Sequence, residues 1–150
     1  MKNETIAIGS DHAGFELKKH IKKTISSMNL KYKDYGTYNC KAIDYPDYAV
    51  KVAGAVSKGK HKNGILICGT GIGISIAANK FPGIRAALCN DVFSAKISRE
   101  HNDANILALG GRIVGFALAD EIVKVWLTTK FNTVEPRHKR RVDKIKAIER

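Results

Sequence analysis

Short apolar runs rich in β-branched residues alternate along the chain with longer stretches whose apolar positions recur every three or four residues. Thr5-Ile6-Ala7-Ile8 reads as a first strand. A helix follows from about Phe15 to Met28. Phe15, Leu17, Ile21 and Ile25 give it a buried stripe, while Lys18, Lys19, Lys22 and Lys23 mostly face water. Tyr32 to Tyr35 reads as a second strand, and Pro46 suits the first turn of a helix reaching about Ser57. Gly64-Ile65-Leu66-Ile67-Cys68 is apolar on both faces, as a central parallel strand should be, and it leads into an Ala-rich helix through Lys80. Ile84 to Cys89 is a strand, Val92 to Glu100 a helix, and Ile106 to Leu109 a fifth strand stopped by Gly110-Gly111. Helices near Phe116 to Leu127 and Arg137 to Ile148, separated by Pro136, complete the pattern.

This βα order predicts an α/β fold in one domain spanning residues 1–150. Its form is a three-layer, doubly wound, Rossmann-like five-stranded parallel sheet with helices on both faces and a C-terminal helix. Ligands of such sheets sit beyond the carboxyl ends of the strands. Polar clusters fall there: Asp11-His12 after the first strand, Cys68 to Gly73 after the third, and Gly110-Gly111-Arg112 after the fifth.

Composition narrows the setting. With 44% hydrophobic and 27% charged residues, the chain is a folded domain and not a disordered tail. No apolar run approaches the roughly 18 residues of a membrane span. Lys2 is followed by polar Asn3 and Glu4, which is not the start of a secretory signal. Cys40, Cys68 and Cys89 are odd in number and widely spaced, so a CxxC pair is excluded and a reducing cytoplasm fits. The net charge of +12 points first to an anionic partner: nucleic acid, a membrane surface or a phosphorylated metabolite.

Cys68-Gly69-Thr70-Gly71-Ile72-Gly73 is the densest chemical signal. Its glycines let backbone N–H groups approach an anion where a helix begins, and that positive terminus favours a Cys68 thiolate. The loop alone also reads, about equally well, as a tight turn with a small buried cysteine. A dinucleotide fingerprint fails, because Ile74 takes the place of its third glycine and the loop follows the third strand instead of opening the chain. Asp11-His12 and His101-Asn102-Asp103 are further candidates, each compatible with an ordinary turn, and neither has metal-ligand spacing. In Arg137-His138-Lys139-Arg140-Arg141, Arg137 and Arg141 are i,i+4 neighbours able to clamp one phosphate. The same run can be a solvated face or a nucleic-acid patch, although no interleaved aromatics support the latter.

Taken in order, the Gly9–Gly14 segment, Asp44-Tyr45-Pro46, Cys68–Gly73 with Ala77-Ala78-Asn79-Lys80, Glu100–Asp103, Gly110-Gly111-Arg112, and Arg137-His138 with Arg141 resemble ribose-5-phosphate isomerase type B across essentially the whole chain. The resemblance implies a cofactor-free, metal-independent isomerase of sugar phosphates, active as a homodimer or dimer of dimers. It assigns Cys68 as the base between C1 and C2, Thr70 as the aid to proton movement between oxygens, and the amides of Gly69, Gly71, Ile72 and Gly73 as holders of an enediolate. Asp11 and His101 would open the sugar ring, with His101 supplied by the partner subunit. His12, Arg137 and Arg141 would hold phosphate, joined by Arg112 across the interface, and Tyr45 and Asn102 would contact the sugar. Ile74 occupies the position of the glutamate base used by one branch, so the chain resembles the cysteine branch. The stretch Asn132 to Pro136 is less family-like. The expected reaction joins D-ribose 5-phosphate and D-ribulose 5-phosphate. The alternatives are a six-carbon substrate, allose 6-phosphate or galactose 6-phosphate, and a nucleic-acid-binding module.

Overall fold

The structure, a computed structural model, describes residues 4–149, so the reading of Lys2-Asn3 lies outside the described residues. Five parallel strands form one sheet: β1 (Thr5–Ser10), β2 (Lys31–Asp34), β3 (Gly64–Cys68), β4 (Ala86–Leu88) and β5 (Ile106–Gly110), in the spatial order β2-β1-β3-β5-β4. Six helices connect and flank them: α1 (Phe15–Ser27), α2 (Tyr45–Ser57), α3 (Ile72–Ala78), α4 (Val92–Glu100), α5 (Phe116–Thr128) and α6 (Pro136–Lys146). Side chains of α1, α4 and α5 pack on one face of the sheet around Trp126, and those of α2 and α3 on the other. This is the expected three-layer α/β arrangement. The strand order reverses between β1 and β3, which places a crevice where the β1 and β3 turns meet.

Boundaries differ where the backbone overrides the apolar pattern. β2 begins a residue earlier than its aromatic positions suggest, and β4 is three residues long instead of six. α3 stops at Ala78 because Asn79 turns to β4: its carboxamide accepts from the Ala86 N–H at 2.8 Å and donates to the Ala86 carbonyl at 3.0 Å. None of the described helices is long and apolar enough to cross a membrane.

The largest departure concerns α1. Phe15 is half-buried, and Lys18, expected in water, is fully enclosed. Its ammonium donates to Asp34 Oδ1 at 2.6 Å and to the Thr37 carbonyl. Position 18 lies one turn beyond Gly14 and one turn short of Ile21, inside the apolar stripe, so helical phase placed this charge inward. Asp34 also accepts from Lys22 at 2.9 Å and from the Gly36 N–H at 2.9 Å. Burial pushes the Asp34 carboxyl up, but these donors pull harder and hold it below its ordinary value. His61, before β3, is likewise half-buried, bonded to Tyr35 Oη at 2.8 Å and to the Thr5 carbonyl at 2.7 Å.

Removing one member of a buried pair strands the other. Lys18→Ala should therefore lower unfolding free energy by about 3 kcal/mol in a denaturant titration. Because the Asp34 carboxyl is depressed, its contribution is complete above the unfolded-chain carboxylate value and is lost as pH falls through the folded one. Asp34→Asn should flatten stability against pH in that acid window.

Candidate active site

Three βα turns converge at the carboxyl edge of the sheet. Asp11 directly follows β1, and its buried carboxylate accepts from the Gly14 N–H at 3.0 Å, tightening the entry to α1. A Cβ on Gly14 would stand 2.5 Å from the Ile67 carbonyl, so this turn lies directly on β3. Gly111 N–H donates to the Cys68 carbonyl at 2.7 Å and Arg112 N–H to that of Gly69 at 3.0 Å, tying the β5 turn to the β3 turn. Gly71 adopts φ +78°, a left-handed value suited to glycine, and opens α3. From there its N–H donates to the Sγ of buried Cys68 at 3.1 Å, a contact that a thiolate accepts well. Thr70, exposed beside it, accepts from the Ile72 N–H at 3.2 Å. The N–H groups of Ile72, Gly73 and Ile74 lie in the first turn of α3, where no intrahelical carbonyl reaches them.

The rim of this crevice is set by the segment between β2 and α2. Ser10 exchanges backbone hydrogen bonds with Gly36 and Thr37, 2.7 and 2.8 Å long, sewing the segment to β1. Further along, the Ile43 N–H donates to His12 Nδ1 at 3.2 Å. The neutral ring then carries its proton on Nε2, leaving a donor for an anion. Tyr45 opens α2 and lays its ring on Gly73, where any Cβ would meet it at 2.5 Å. Arg112 lies over Gly69. Asp11, His12, Tyr45, Cys68, Thr70, Gly69, Gly71, Ile72, Gly73 and Arg112 thus stand on the same side of the chain, nine of them on the three turns and Tyr45 at the start of α2.

His101, Asn102, Arg137 and Arg141 form a second group. His101 caps the C-terminus of α4, which leads into the start of β5, whereas Cys68 is level with the end of β5, opposite Gly110. The two groups lie at opposite ends of the strand, about 15 Å apart by its rise alone. The His101 ring stacks on His138 of α6, with centroids 4.0 Å apart. Burial, with His101 and Arg137 nearby, keeps the His138 imidazole below its ordinary value. This partition departs from the sequence reading, which grouped Arg137 and Arg141 with His12 and set Arg112 across an interface. Within one chain, Arg112 lies by Gly69 because its backbone closes the β5 turn, and Arg137 and Arg141 lie on α6, whose His138 stacks on His101.

Two contributors have no such role in the sequence reading: Lys18, whose signal was its phase on α1, and the Ile43 N–H, which leaves none. Among the described residues, no three His, Cys, Asp or Glu side chains gather as metal ligands.

Fold and turns together define a doubly wound α/β protein whose candidate site lies at the carboxyl edge of its sheet. The chain belongs to the Ribose/Galactose Isomerase family, which it matches over residues 6–145. It is 51% identical over 144 residues to ribose-5-phosphate isomerase B of Escherichia coli K12, covering 96% of this chain and 95% of that one. The structure of Clostridium thermocellum ribose-5-phosphate isomerase B is similar at a TM-score of 0.93 with 53% identity, covering 97% of both chains. That of the Trypanosoma brucei type B enzyme is similar at 0.94 with 45% identity, covering 98% of this chain and 99% of that one.

Two glycines of the β3 turn should respond differently to a methyl group. At Gly71 it would meet Leu88 at 2.5 Å and the Leu109 backbone at 2.8 Å, on a left-handed φ, so Gly71→Ala should cost about 2 kcal/mol or more. At Gly73 it meets only the movable end of Tyr45, and Gly73→Ala should cost less than about 1 kcal/mol. Thermal melts of the two variants separate these outcomes.

Proposed function

We infer that this chain interconverts D-ribose 5-phosphate and D-ribulose 5-phosphate in the cytoplasm, within pentose phosphate metabolism. It does so through a cis-enediolate, without metal or cofactor, at a site shared by two copies of the chain. The observation that carries this reading is the buried Cys68 Sγ held by the Gly71 N–H beside the first-turn amides of α3. Isomerisation needs a base that takes a proton from C2 and returns it to C1, and donors for the oxygen charge that develops meanwhile. Cys68 as thiolate is that base. It becomes a thiol while the enediolate exists and is a thiolate again when the proton reaches C1. Thr70 moves the remaining proton between O1 and O2, and of the amides from Gly69 to Ile74 those not engaged by Cys68 Sγ and Thr70 Oγ1 hold the anion. No external oxidant or reductant enters, since the hydrogen stays within the sugar.

The preceding steps are binding and ring opening. Arg112 and the Nε2–H of His12 receive the phosphate, and Tyr45 borders the sugar. Asp11 and His101 move the proton from the anomeric hydroxyl to the ring oxygen, with Asn102 against the sugar and Arg137 and Arg141 completing the phosphate clamp. Because the His101 group lies at the opposite end of its own sheet, a second copy supplies it. Supporting this, Ile72, Ile76, Phe93 and Ile113 are each more than half exposed around the Cys68 end, an apolar collar that a second copy would cover. In a two-fold dimer each copy gives one group and receives the other.

Cys68→Ala should lower kcat by about 10²–10⁴-fold in an isomerisation assay with EDTA present, run over five- and six-carbon sugar phosphates. Wild-type turnover by that variant rejects the cysteine base, and faster turnover of a six-carbon sugar by the native chain rejects ribose 5-phosphate as its substrate. The shared site is tested by complementation. Co-expressed Cys68→Ala and His101→Ala chains should form hetero-dimers with one intact site and about half the native turnover, although each variant alone is impaired.

A further inference from the structure

The turn that carries His101 and Asn102 is held by a residue that has no part in the reaction just described. Arg85 precedes β4 and reaches across to the α4–β5 connection. Its Nε donates to the carbonyls of Asn102 at 3.2 Å and Asp103 at 2.9 Å, and its Nη2 donates to Asp103 Oδ2 at 3.1 Å. The backbone joins in: Arg85 N–H donates to Asn105 Oδ1 at 2.8 Å, and its carbonyl accepts from the Asn105 N–H at 3.1 Å. Asp103 sits at φ +48°, a left-handed conformation for a residue with a side chain, in the middle of this clasp. From the other side, Arg99 donates to the Ala104 carbonyl while its guanidinium lies 4.7 Å over the Trp126 ring.

The clasp is directional. A planar guanidinium can serve two successive carbonyls and a carboxylate from one fixed orientation, which an ammonium cannot. His101 is the residue just before those carbonyls, and its ring is fixed on its other side by the stack on His138. Backbone and ring are therefore both held, although the side chain that does the chemistry sits in a short connection.

We propose that Arg85 is a positioning residue of the isomerase site, fixing the Asn102–Asp103 backbone so that His101 and Asn102 are presented to the partner copy's Cys68. This rests on the shared-site reading above. Arg85 touches no reacting atom, and its effect passes through the turn.

The test uses the intact chain and pairs of co-expressed variants with different affinity tags. Arg85→Gln should lower kcat between about ten- and a hundredfold, as a displaced catalytic group does, with its melting temperature close to native. Arg85→Lys should be impaired as well, and it serves as the variant if Arg85→Gln does not fold. The discriminating measurement is complementation. An Arg85→Gln chain paired with a Cys68→Ala chain has one site made of native halves, so the purified hetero-dimer should recover about half the native turnover. Paired with His101→Ala, whose lesion lies in the same half, it should not recover. Native kcat in Arg85→Gln overturns the proposal. So does failure to recover with Cys68→Ala while the Cys68→Ala and His101→Ala pair recovers, because the damage has then spread to the Cys68 half. If that control pair stays inactive, the shared site is what fails. Arg85 is then judged by its own kcat at native melting temperature, where a tenfold loss supports positioning and no loss overturns it.

Discussion

Everything chemical in this chain depends on how closely three backbone turns can approach one another at the carboxyl edge of the sheet. Gly14 rests on the Ile67 carbonyl, Gly111 on the Ala13 carbonyl, and Gly110 on the Thr70 carbonyl, each so near that a Cβ would lie under 3.0 Å away. Interiors are packed as densely as crystals, so a methyl group at any of these points would push one turn off another. The closeness fuses the β1, β3 and β5 turns into a single rigid floor. Asp11, Cys68 and Arg112 are widely separated in sequence, but each is fixed on that floor by the backbone, and their spacing does not depend on flexible side chains finding each other.

In the shared-site reading proposed above, the floor is one of two parts. Its counterpart, His101 with α6, is assembled at the other end of the same sheet by different forces: an imidazole stack and two arginines holding backbone carbonyls. The two ends use their charges differently as well. Lys18 and Arg99 are spent internally, one on Asp34 and Thr37, the other on Ala104 and Trp126. Arg112, Arg137 and Arg141 remain exposed and available to an anion. The formal charge of +12 is therefore a sum over unlike roles, and it overstates how much of the basic character is addressed to a partner.

The fold was legible because period and punctuation agree. β3 and β5 are unbroken apolar runs bounded by glycine, and α5 carries a regular buried stripe. Cys68, Asp11 and His12 were legible as candidates for a related reason, since they fall at the carboxyl ends of β3 and β1, where ligands of such sheets sit. Pattern reading could not supply which residues meet across the sheet. Nothing in the run from Arg137 to Arg141 says that it packs beside His101, because that depends on how the connection after α5 folds back. Lys18 was misread because residue type was weighed above helical phase. Arg85 was passed over because its partners are backbone carbonyls, which leave no mark on a sequence.

Asn79 has a consequence beyond ending its helix. β4 is the outermost strand on its side of the sheet, and Arg85, Ala87 and Cys89 turn their peptide groups inward to β5. Ala86 faces outward, and both of its backbone groups are already taken by the Asn79 carboxamide. A single side chain thus imitates a sixth strand for one residue. A foreign strand seeking to extend the sheet finds that rung occupied, with little more than Leu88 beyond it, too short a template to hold another chain. On this side the chain can be crowded against its neighbours in a concentrated solution without the β4 edge becoming a seed for aggregation.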